Sequence, residues 1–225
     1  MVKLDLHVHT NIGSGDSMID YRELVGLARK AGLDGLCLTE HGVAKTGLGE
    51  KLSREFDFLV LEGMEMGTEL GDILVFGLEM VPRNLYRAVD VRRYVEKHGG
   101  VMIAAHPVRS EITRALMLKT TPKLSLEEAC RRPLFGLVDA VEAANGWSAA
   151  QDVEFCFELC SRLGLKATGG SDAHFSRQVG CCLTIFENGL RNEADLVAAI
   201  KTGRFWAQDR RSEEEKSPTY WFSGK

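Results

Sequence analysis

The stretch Val2-Lys3-Leu4-Asp5-Leu6-His7-Val8-His9 begins the chain as a short apolar segment that ends in two histidines. A helical pattern follows, because Asp20-Tyr21-Arg22-Glu23 has the form of a capping box and Gly32 directly follows an apolar stripe of leucines and alanines. The next apolar segment, Gly35 to Thr39, has the length of a buried strand. Together these segments predict one strand-helix-strand unit of a parallel sheet.

The same alternation of apolar segments and helical periods continues along the 225 residues, without an internal repeat or a linker. It predicts a single α/β domain over residues 1–208, followed by a tail at 209–225 that loses its periodicity. We expect this tail to be partly disordered and to carry no catalytic residue. The further strand candidates are Phe58 to Met64, Ile73 to Leu78, Val101 to Ala105, Val138 to Ala143, Lys166 to Thr168 and Cys182 to Phe186, and the further helix candidates are 84–98, 125–131, 149–163 and 192–202.

Composition excludes several broad classes of protein. A net charge of −4 gives no basic surface for non-specific nucleic-acid binding. No apolar run approaches the roughly 18 residues that a membrane-spanning helix needs, and the first residues show no signal-peptide pattern. The six cysteines lack CxxC spacing, which favours reduced structural thiols. We therefore expect a cytoplasmic protein without a membrane segment.

Five of the six histidines lie at or just beyond the carboxyl end of a predicted strand, where α/β folds place their active sites. His7 and His9 share one side of an extended chain, so both imidazoles can bind one metal ion. Further strand ends carry Thr39-Glu40-His41, Glu65, His106-Pro107 and Ser171-Asp172-Ala173-His174. Taken singly, these residues have structural explanations, such as a solvated histidine pair or a helix-capping carboxylate. The joint pattern favours a metal centre, from which only His98, near the end of a predicted helix, is left out.

The order and spacing of these motifs resemble the PHP family, named after polymerase and histidinol phosphatase domains. The resemblance covers most of residues 2–180, and the closing segment 195–205 extends it over almost the whole chain. It implies a distorted (β/α)7 barrel of the PHP type, with the metal site at the carboxyl ends of its strands. The matching stretches are Asp5-Leu6-His7-Val8-His9-Thr10, Gly32 to His41, Gly63-Met64-Glu65, Ala105-His106-Pro107, Val141-Glu142-Ala143-Ala144-Asn145 and Gly170 to His174.

The resemblance also implies ligands for two or three divalent metal ions. Mixed imidazole and carboxylate ligands suit Mn, Fe or Zn, and a carboxylate can bridge two ions. Only the resemblance assigns Asp16, whose own segment has the pattern of an ordinary loop. The implied ligands are His7, His9, Glu65 and Asp172 for a first ion, Glu65 and His106 for a second, and Asp16, His41 and His174 for a third.

Two positions depart from the family pattern. The family usually has Thr-Asp-His where this chain has Thr39-Glu40-His41, so a longer carboxylate is expected beside the third ion. Members with nine ligands add a His or Cys just after the sixth strand, where this chain has Asn145-Gly146-Trp147-Ser148. The second ion is therefore expected to lack a ligand unless Glu142 or Asn145 replaces it.

A cluster of this kind is expected to hydrolyse phosphate esters, as a phosphomonoesterase or a phosphodiesterase, with a metal-bound hydroxide as the nucleophile. Asp172 and His174 are the candidates for proton transfer. Arg109 and Arg177 each lie three residues beyond a candidate ligand histidine, where a guanidinium can grip a phosphate. Each of these arginines also has the simpler explanation of a loop-surface residue.

Two other functions are compatible with parts of the sequence. An amidohydrolase-type barrel also begins with His-x-His, but Glu65 stands where that family commonly has a bridging lysine. A non-catalytic module with the PHP fold would have lost several ligands, whereas this chain keeps eight. The expected substrate is a small phosphorylated molecule, with a nucleotide or short oligonucleotide as one option and a sugar or amino-alcohol phosphate as the other. The loops Val43 to Leu52 and Ser110 to Leu126 are expected to set specificity.

Overall fold

The computed structural model describes residues 1–109 and 124–216, which form one mixed sheet covered by helices. Most of the predicted loop Ser110 to Leu126 and the last part of the predicted tail, residues 217–225, lie outside the described residues. In the described part the strands are β1 Val2–Val8, β2 Gly35–Leu38, β3 Leu59–Thr68, β4 Gly71–Phe76, β5 Val101–Ala104, β6 Ala140–Asn145, β7 Lys166–Gly170, β8 Cys182–Phe186 and β9 Phe205–Asp209. The helices there are α1 Tyr21–Lys30, α2 Leu48–Phe56, α3 Ala88–Lys97, α4 Leu126–Cys130, α5 Ala150–Leu163 and α6 Glu193–Thr202.

The sheet is mixed, whereas the alternation of strands and helices predicts a parallel sheet. Its strand order is β7-β6-β5-β4-β3-β2-β1-β8-β9. Strand β4 runs antiparallel to both β3 and β5, and β8 runs antiparallel to both β1 and β9. The connection from β3 to β4 consists only of Glu69 and Leu70, which is too short for the crossover that a parallel pair needs. The count of seven strand-helix units is not reproduced in the described residues, whereas the predicted α/β barrel is confirmed.

The two ends of the sheet approach each other and nearly close the barrel. Gly169 in β7 donates its backbone N–H to Thr184 Oγ1 at 2.8 Å, and this hydroxyl donates to the Gly169 carbonyl at 2.9 Å. A Cβ atom at Gly169 would lie 2.4 Å from the Leu183 carbonyl oxygen, so only glycine permits this approach. Just beyond β7, Ala173 accepts a backbone hydrogen bond from His9 at 3.1 Å. This contact brings the end of β7 next to the end of β1.

Helix α1 follows the sequence prediction closely. Asp20 is its N-cap and accepts a hydrogen bond from Arg22 N, and the apolar face of the helix is buried against the sheet. Helix α2 was not predicted, and a loop was expected over its first turns. Its apolar residues Leu48, Leu52 and Phe56 recur at helical spacing, but Gly47 and Gly49 interrupt the pattern. A Cβ atom at Gly49 would lie 2.7 Å from Glu62 Cγ, so close packing against β3 explains the glycine.

The packed structure extends slightly past residue 208. Arg211 is buried, and its guanidinium donates to the carbonyls of Gly146 at 2.9 Å and Ser148 at 2.6 Å. It also pairs with Asp209 of β9 at 2.8 Å, so this region holds the loop after β6. All six cysteines have free thiols, as expected. Within residues 1–109 and 124–216, no helix is both long and apolar enough to cross a bilayer.

Candidate metal centre

Four buried side chains meet at or just beyond the carboxyl ends of β1 and β7 and within β3. His7 Nε2 lies 3.3 Å from Glu65 Oε2 and 3.5 Å from Asp172 Oδ1. His9 Nε2 lies 3.3 Å from each of the same two oxygens. One ligand atom from each of the four residues lies within 4.8 Å of the others. We call these four residues the inner cluster.

The second ring nitrogen of each inner-cluster histidine is held by a protein hydrogen bond. His7 Nδ1 donates to Glu142 Oε1 at 3.0 Å, and His9 Nδ1 lies 3.0 Å from Ser14 Oγ. Ser14 donates its own hydrogen to Glu40 Oε2 at 2.6 Å, so its oxygen accepts the hydrogen of His9 Nδ1. This network assigns the hydrogen of both rings to Nδ1. Both rings therefore present a bare Nε2 to the cluster, which is the form that binds a metal ion.

Glu40 supports the loop after β1 and does not lie beside the outer ligands as a coordinating group. Its carboxylate accepts from Thr10 N at 3.1 and 3.2 Å, from Thr10 Oγ1 at 2.5 Å and from Ser14 Oγ. A Cβ atom at Gly13 would lie 2.3 Å from Glu40 Cγ, so glycine makes room for the longer acidic side chain. The departure from Thr-Asp-His therefore changes the support beneath His9.

Glu65 is the central carboxylate of the site. Besides the two inner-cluster histidines, its Oε1 lies 3.1 Å from His106 Nε2 and its Oε2 lies 3.0 Å from His41 Nδ1. Burial alone would raise the pKa of Glu65, but His7, His106 and His41 outweigh burial and hold that pKa below its ordinary value. Glu65 is therefore an ionised carboxylate in contact with four histidines of the site.

Three buried atoms of the inner cluster test whether a metal ion fits. His7 Nε2, His9 Nε2 and Glu65 Oε2 have no hydrogen-bond partner of suitable geometry among the described residues, although His41 Nδ1 lies 3.0 Å from that carboxylate oxygen. Leaving a buried polar atom unpaired costs about 1–3 kcal/mol. Two imidazole lone pairs and a carboxylate oxygen that converge in this way are satisfied together by a cation, so the donor set fits a divalent metal.

Strained backbone marks two of the site residues. His106 has a φ angle of +31° and Asp172 has a φ angle of +53°. Such conformations cost about 1–3 kcal/mol in non-glycine residues and persist only where the surroundings hold them. Trp147 Nε1 donates to the Asp172 carbonyl at 2.8 Å, and Arg109 Nη1 donates to Asp172 Oδ2 at 2.5 Å. Burial opposes ionisation of Asp172, but His7 and Arg109 outweigh it and hold the pKa of Asp172 well below its usual value.

A second group of ligand-type side chains lies at the rim of the site. Asp16 Oδ2 lies 3.5 Å from His41 Nε2 and 3.4 Å from His174 Nε2. The side chains of Asp16 and His41 are 62% and 44% exposed, and that of His174 is 14% exposed. His174 Nδ1 donates to the Asp172 carbonyl at 2.9 Å, which leaves its Nε2 bare. We call Asp16, His41 and His174 the outer cluster. With the inner cluster and with His106 beside Glu65, the structure brings together all eight predicted ligands.

Both of the expected replacements for the missing ligand already have hydrogen-bond partners among the site residues. Glu142 uses Oε1 for His7, and its Oε2 accepts from His106 N at 3.1 Å and from Asn145 Nδ2 at 3.0 Å. Asn145 Oδ1 accepts from Arg109 Nη1 at 3.2 Å. Both residues therefore hold ligands in place through hydrogen bonds.

The two candidate phosphate-binding arginines differ in position. Arg109 reaches into the site, where it contacts Asp172 and Asn145. Arg177 lies on the surface in the short turn Ser176–Gln178, with its guanidinium 5.6 Å from the centre of the Phe175 ring.

The hydrogen-bonding roles of Glu142, Ser14 and Trp147 were not assigned from the sequence, where Glu142 was considered only as a replacement ligand. Glu142 carried a usable signal, since a carboxylate inside a predicted buried strand needs a partner. Ser14 and Trp147 gave no signal of this kind, because each lies in a loop of ordinary composition.

Comparison with known families places this site in context. A PHP domain model matches residues 5–146, and a PHP-associated model matches residues 156–205. The chain belongs to the PHP family. The resemblance seen in the sequence motifs is thereby confirmed.

Individual relatives of this PHP chain are moderately similar. An uncharacterized protein of Methanocaldococcus jannaschii is 32% identical over 126 residues, which cover 51% of this chain and 72% of that protein. A protein of Caldicellulosiruptor bescii named "Probable phosphatase" is 27% identical over 207 residues, which cover 80% of this chain and 83% of that protein. A solved two-domain protein from Bacteroides vulgatus, described as containing a predicted PHP-like metal-dependent phosphoesterase, has a TM-score of 0.68 at 21% identity. That alignment covers 92% of this chain but only 64% of the two-domain chain, and it shows a shared fold.

Proposed function

We propose that this PHP-family chain is a metal-dependent phosphoesterase that hydrolyses phosphate esters at a site for two or three divalent ions. The observation that carries the proposal is the convergence of five imidazoles and three carboxylates around buried, unpartnered His7 Nε2, His9 Nε2 and Glu65 Oε2. The name of the Caldicellulosiruptor relative agrees with this class of reaction.

The donor set suits Mn, Fe or Zn. The inner cluster would hold the first ion, Glu65 with His106 would contribute to the second, and the outer cluster would hold the third. When bound, such ions supply a hydroxide nucleophile at neutral pH and neutralise charge on the phosphoryl oxygens. The protein contributes fixed ligand geometry, since hydrogen bonds to Glu142 and Ser14 hold the two rings of the inner cluster.

Asp172 and His174 are our candidates for proton transfer. The low pKa of Asp172 keeps it ionised at neutral pH, so it can accept a hydrogen bond from a nucleophile in the site. His174 presents its bare Nε2 at the partly open rim. When the outer ion is absent, this nitrogen can carry the proton that a departing alkoxide needs.

The substrate is proposed to be a small phosphorylated molecule gripped by Arg109. Arg109 contacts Asp172 from within hydrogen-bonding distance, and an incoming phosphate can compete for the same guanidinium. A cleft of about 470 Å³ opens from His41 and Glu65, and Met66, Val81 and Tyr86 help to line it. The apolar side chains of Met66 and Val81 in this mixed lining suit the alcohol part of an ester.

The first test compares the wild type with His9→Ala in hydrolysis of p-nitrophenyl phosphate and bis-p-nitrophenyl phosphate. The protein is purified without chelator, and its metal content is measured alongside. We expect the wild type to hydrolyse at least one ester and to lose that activity with chelator. The hydrolysis rate should fall about a thousandfold in His9→Ala, because the inner ion loses a ligand. His98→Ala is the matched control, since His98 lies at the end of α3 and hydrogen-bonds to Tyr94. Metal-free wild-type protein that cleaves neither ester would instead support a non-catalytic module.

The second test addresses the grip on phosphate. Arg109→Ala should raise KM for the preferred ester about tenfold, because the substrate phosphate loses a guanidinium contact, and should also lower kcat, because Asp172 loses the contact that holds it. Arg131→Ala is the control, because Arg131 is the exposed C-cap residue just after α4. An unchanged KM in Arg109→Ala would remove Arg109 from substrate binding.

A further inference from the structure

The sheet topology places a third carboxylate beside Glu65 and His106. Strand β4 lies between β3, which carries Glu65, and β5, which precedes His106. Because β4 runs antiparallel to both neighbours, its first residues lie at the edge of the sheet where the ligands gather. Asp72 is the second residue of β4.

The strand register directs Asp72 toward the ligands. Glu65 lies opposite Leu74, and Gly67 lies opposite Asp72. Opposed residues share a face of the sheet, as do residues two apart along a strand, so Asp72 projects from the same face as Glu65. Gly67 leaves space above this face, and Asp72 Oδ1 lies 3.4 Å from where a Cβ atom of Gly67 would be.

We propose that Asp72 binds the second metal ion together with Glu65 and His106. One ligand atom from each of these three residues lies within 4.8 Å of the others, and His106 Nε2 lies 3.1 Å from Glu65 Oε1. The Asp72 carbonyl accepts from Ala105 N at 3.0 Å, which fixes β4 against the segment that leads to His106. Two carboxylates and one imidazole suit the same metals as the inner cluster.

This assignment rests on the proposed metal-dependent function and identifies the ligand that the sequence leaves missing after β6. Glu142 and Asn145 are engaged in hydrogen bonds to other site residues, whereas the Asp72 side chain is exposed at the mouth of the barrel.

The experiment counts bound metal. Wild-type protein and Asp72→Asn are stripped with chelator, reloaded with MnCl₂ and desalted, and manganese is measured by mass spectrometry and by electron paramagnetic resonance. We expect Asp72→Asn to bind about one manganese ion fewer per chain and to lose the spin-coupled signal of neighbouring ions, because three ligands fall to two. Asp72→His should restore the missing ion, since imidazole is an alternative ligand. Glu79→Gln, an exposed carboxylate just after β4, is the control and should leave both readouts unchanged.

The outcomes separate this inference from the proposed function. If Asp72→Asn retains the wild-type count and the coupled signal, Asp72 is not a ligand, and the inference is overturned while the phosphoesterase stands. A wild type that binds a single ion and still cleaves phosphate esters would also overturn it. A wild type that binds no metal and cleaves no ester would overturn both. Thermal unfolding of each variant before loading shows whether the fold is retained, and Asp72→His repeats the test with a different side chain.

Discussion

The inner and outer clusters use the same ligand types in opposite surroundings. Inner-cluster histidines are fully buried, and each has its second nitrogen fixed by a buried acceptor, Glu142 or Ser14. In the outer cluster, Asp16 comes from a loop and its side chain is 62% exposed, so water competes for its oxygens.

This difference predicts unequal metal affinities. A site whose ligands are already oriented loses little conformational entropy when the ion binds. Binding there also removes the free-energy cost of buried polar atoms that lack partners. A site on exposed loops must order its ligands at the moment of binding. We therefore expect the inner cluster to retain its ion through desalting and the outer cluster to exchange its ion readily. The following predictions test this contrast, from the largest expected effect to the smallest.

The largest effect is expected for Glu65→Gln. Glu65 contacts histidines of both clusters and also His106, so its loss removes a shared ligand and its charge. Metal content should fall for every ion, and kcat/KM should fall by about a thousandfold or more. Glu62→Gln is the matched control, because Glu62 is equally buried on the same strand but bonds to Thr46. Retention of full metal content by Glu65→Gln would contradict a bridging role.

An intermediate effect is expected from changes beneath the inner cluster. Glu40→Gln and Ser14→Ala should each weaken inner-ion affinity by about 10- to 100-fold, because the His9 ring loses the acceptor chain that fixes its orientation. The measurement is competitive titration of Mn²⁺ or Zn²⁺ against a chromogenic chelator. Because the readout is affinity, it detects positioning even where saturating metal restores activity.

The control for this test lies in the same loop. Ser17 is also buried, but its hydroxyl donates to the His9 carbonyl and does not touch the ring. Ser17→Ala should therefore leave inner-ion affinity within about twofold of the wild type. Equal losses in Ser14→Ala and Ser17→Ala would show that the loop as a whole, and not the ring contact, determines affinity.

How much of this site the sequence could predict depends on strand direction. The histidines at positions 7, 9, 41 and 106 follow parallel strands or lie at their ends, and the rule that active sites occupy carboxyl ends applies to parallel strands. The rule does not apply to Asp72, because β4 is antiparallel to its neighbours and its first residues, not its last, lie at the edge of the sheet that carries the site. Short apolar segments do not reveal strand direction, so a parallel sheet was expected where β4 reverses.

Other omissions have local causes. Helix α2 was hidden by two glycines, one of which is required by contact with Glu62. Asp16 could be assigned only through family resemblance, because a loop position depends on backbone geometry that periodicity does not encode. Glu40 was expected beside the third ion, because its actual partners, Thr10 and Ser14, could be identified only from the folded loop.

The smallest effect is expected at the outer cluster. Asp16→Asn should weaken binding of the outer ion and lower kcat/KM by about tenfold, while the inner ion stays bound. In the described residues the ion-pair contacts of Asp16 are with His41 and His174, both in the outer cluster, and not with an inner-cluster residue. Metal analysis before and after desalting, with activity measured at increasing Mn²⁺, checks both parts. Asp20→Asn, a partly exposed N-cap of α1, controls for the lost charge. If excess metal restores the activity of Asp16→Asn to the wild-type level, the outer ion is needed for activity and only its affinity is reduced. Loss of the inner ion in this variant would contradict the contrast, because it would show that the two clusters bind metal as one unit.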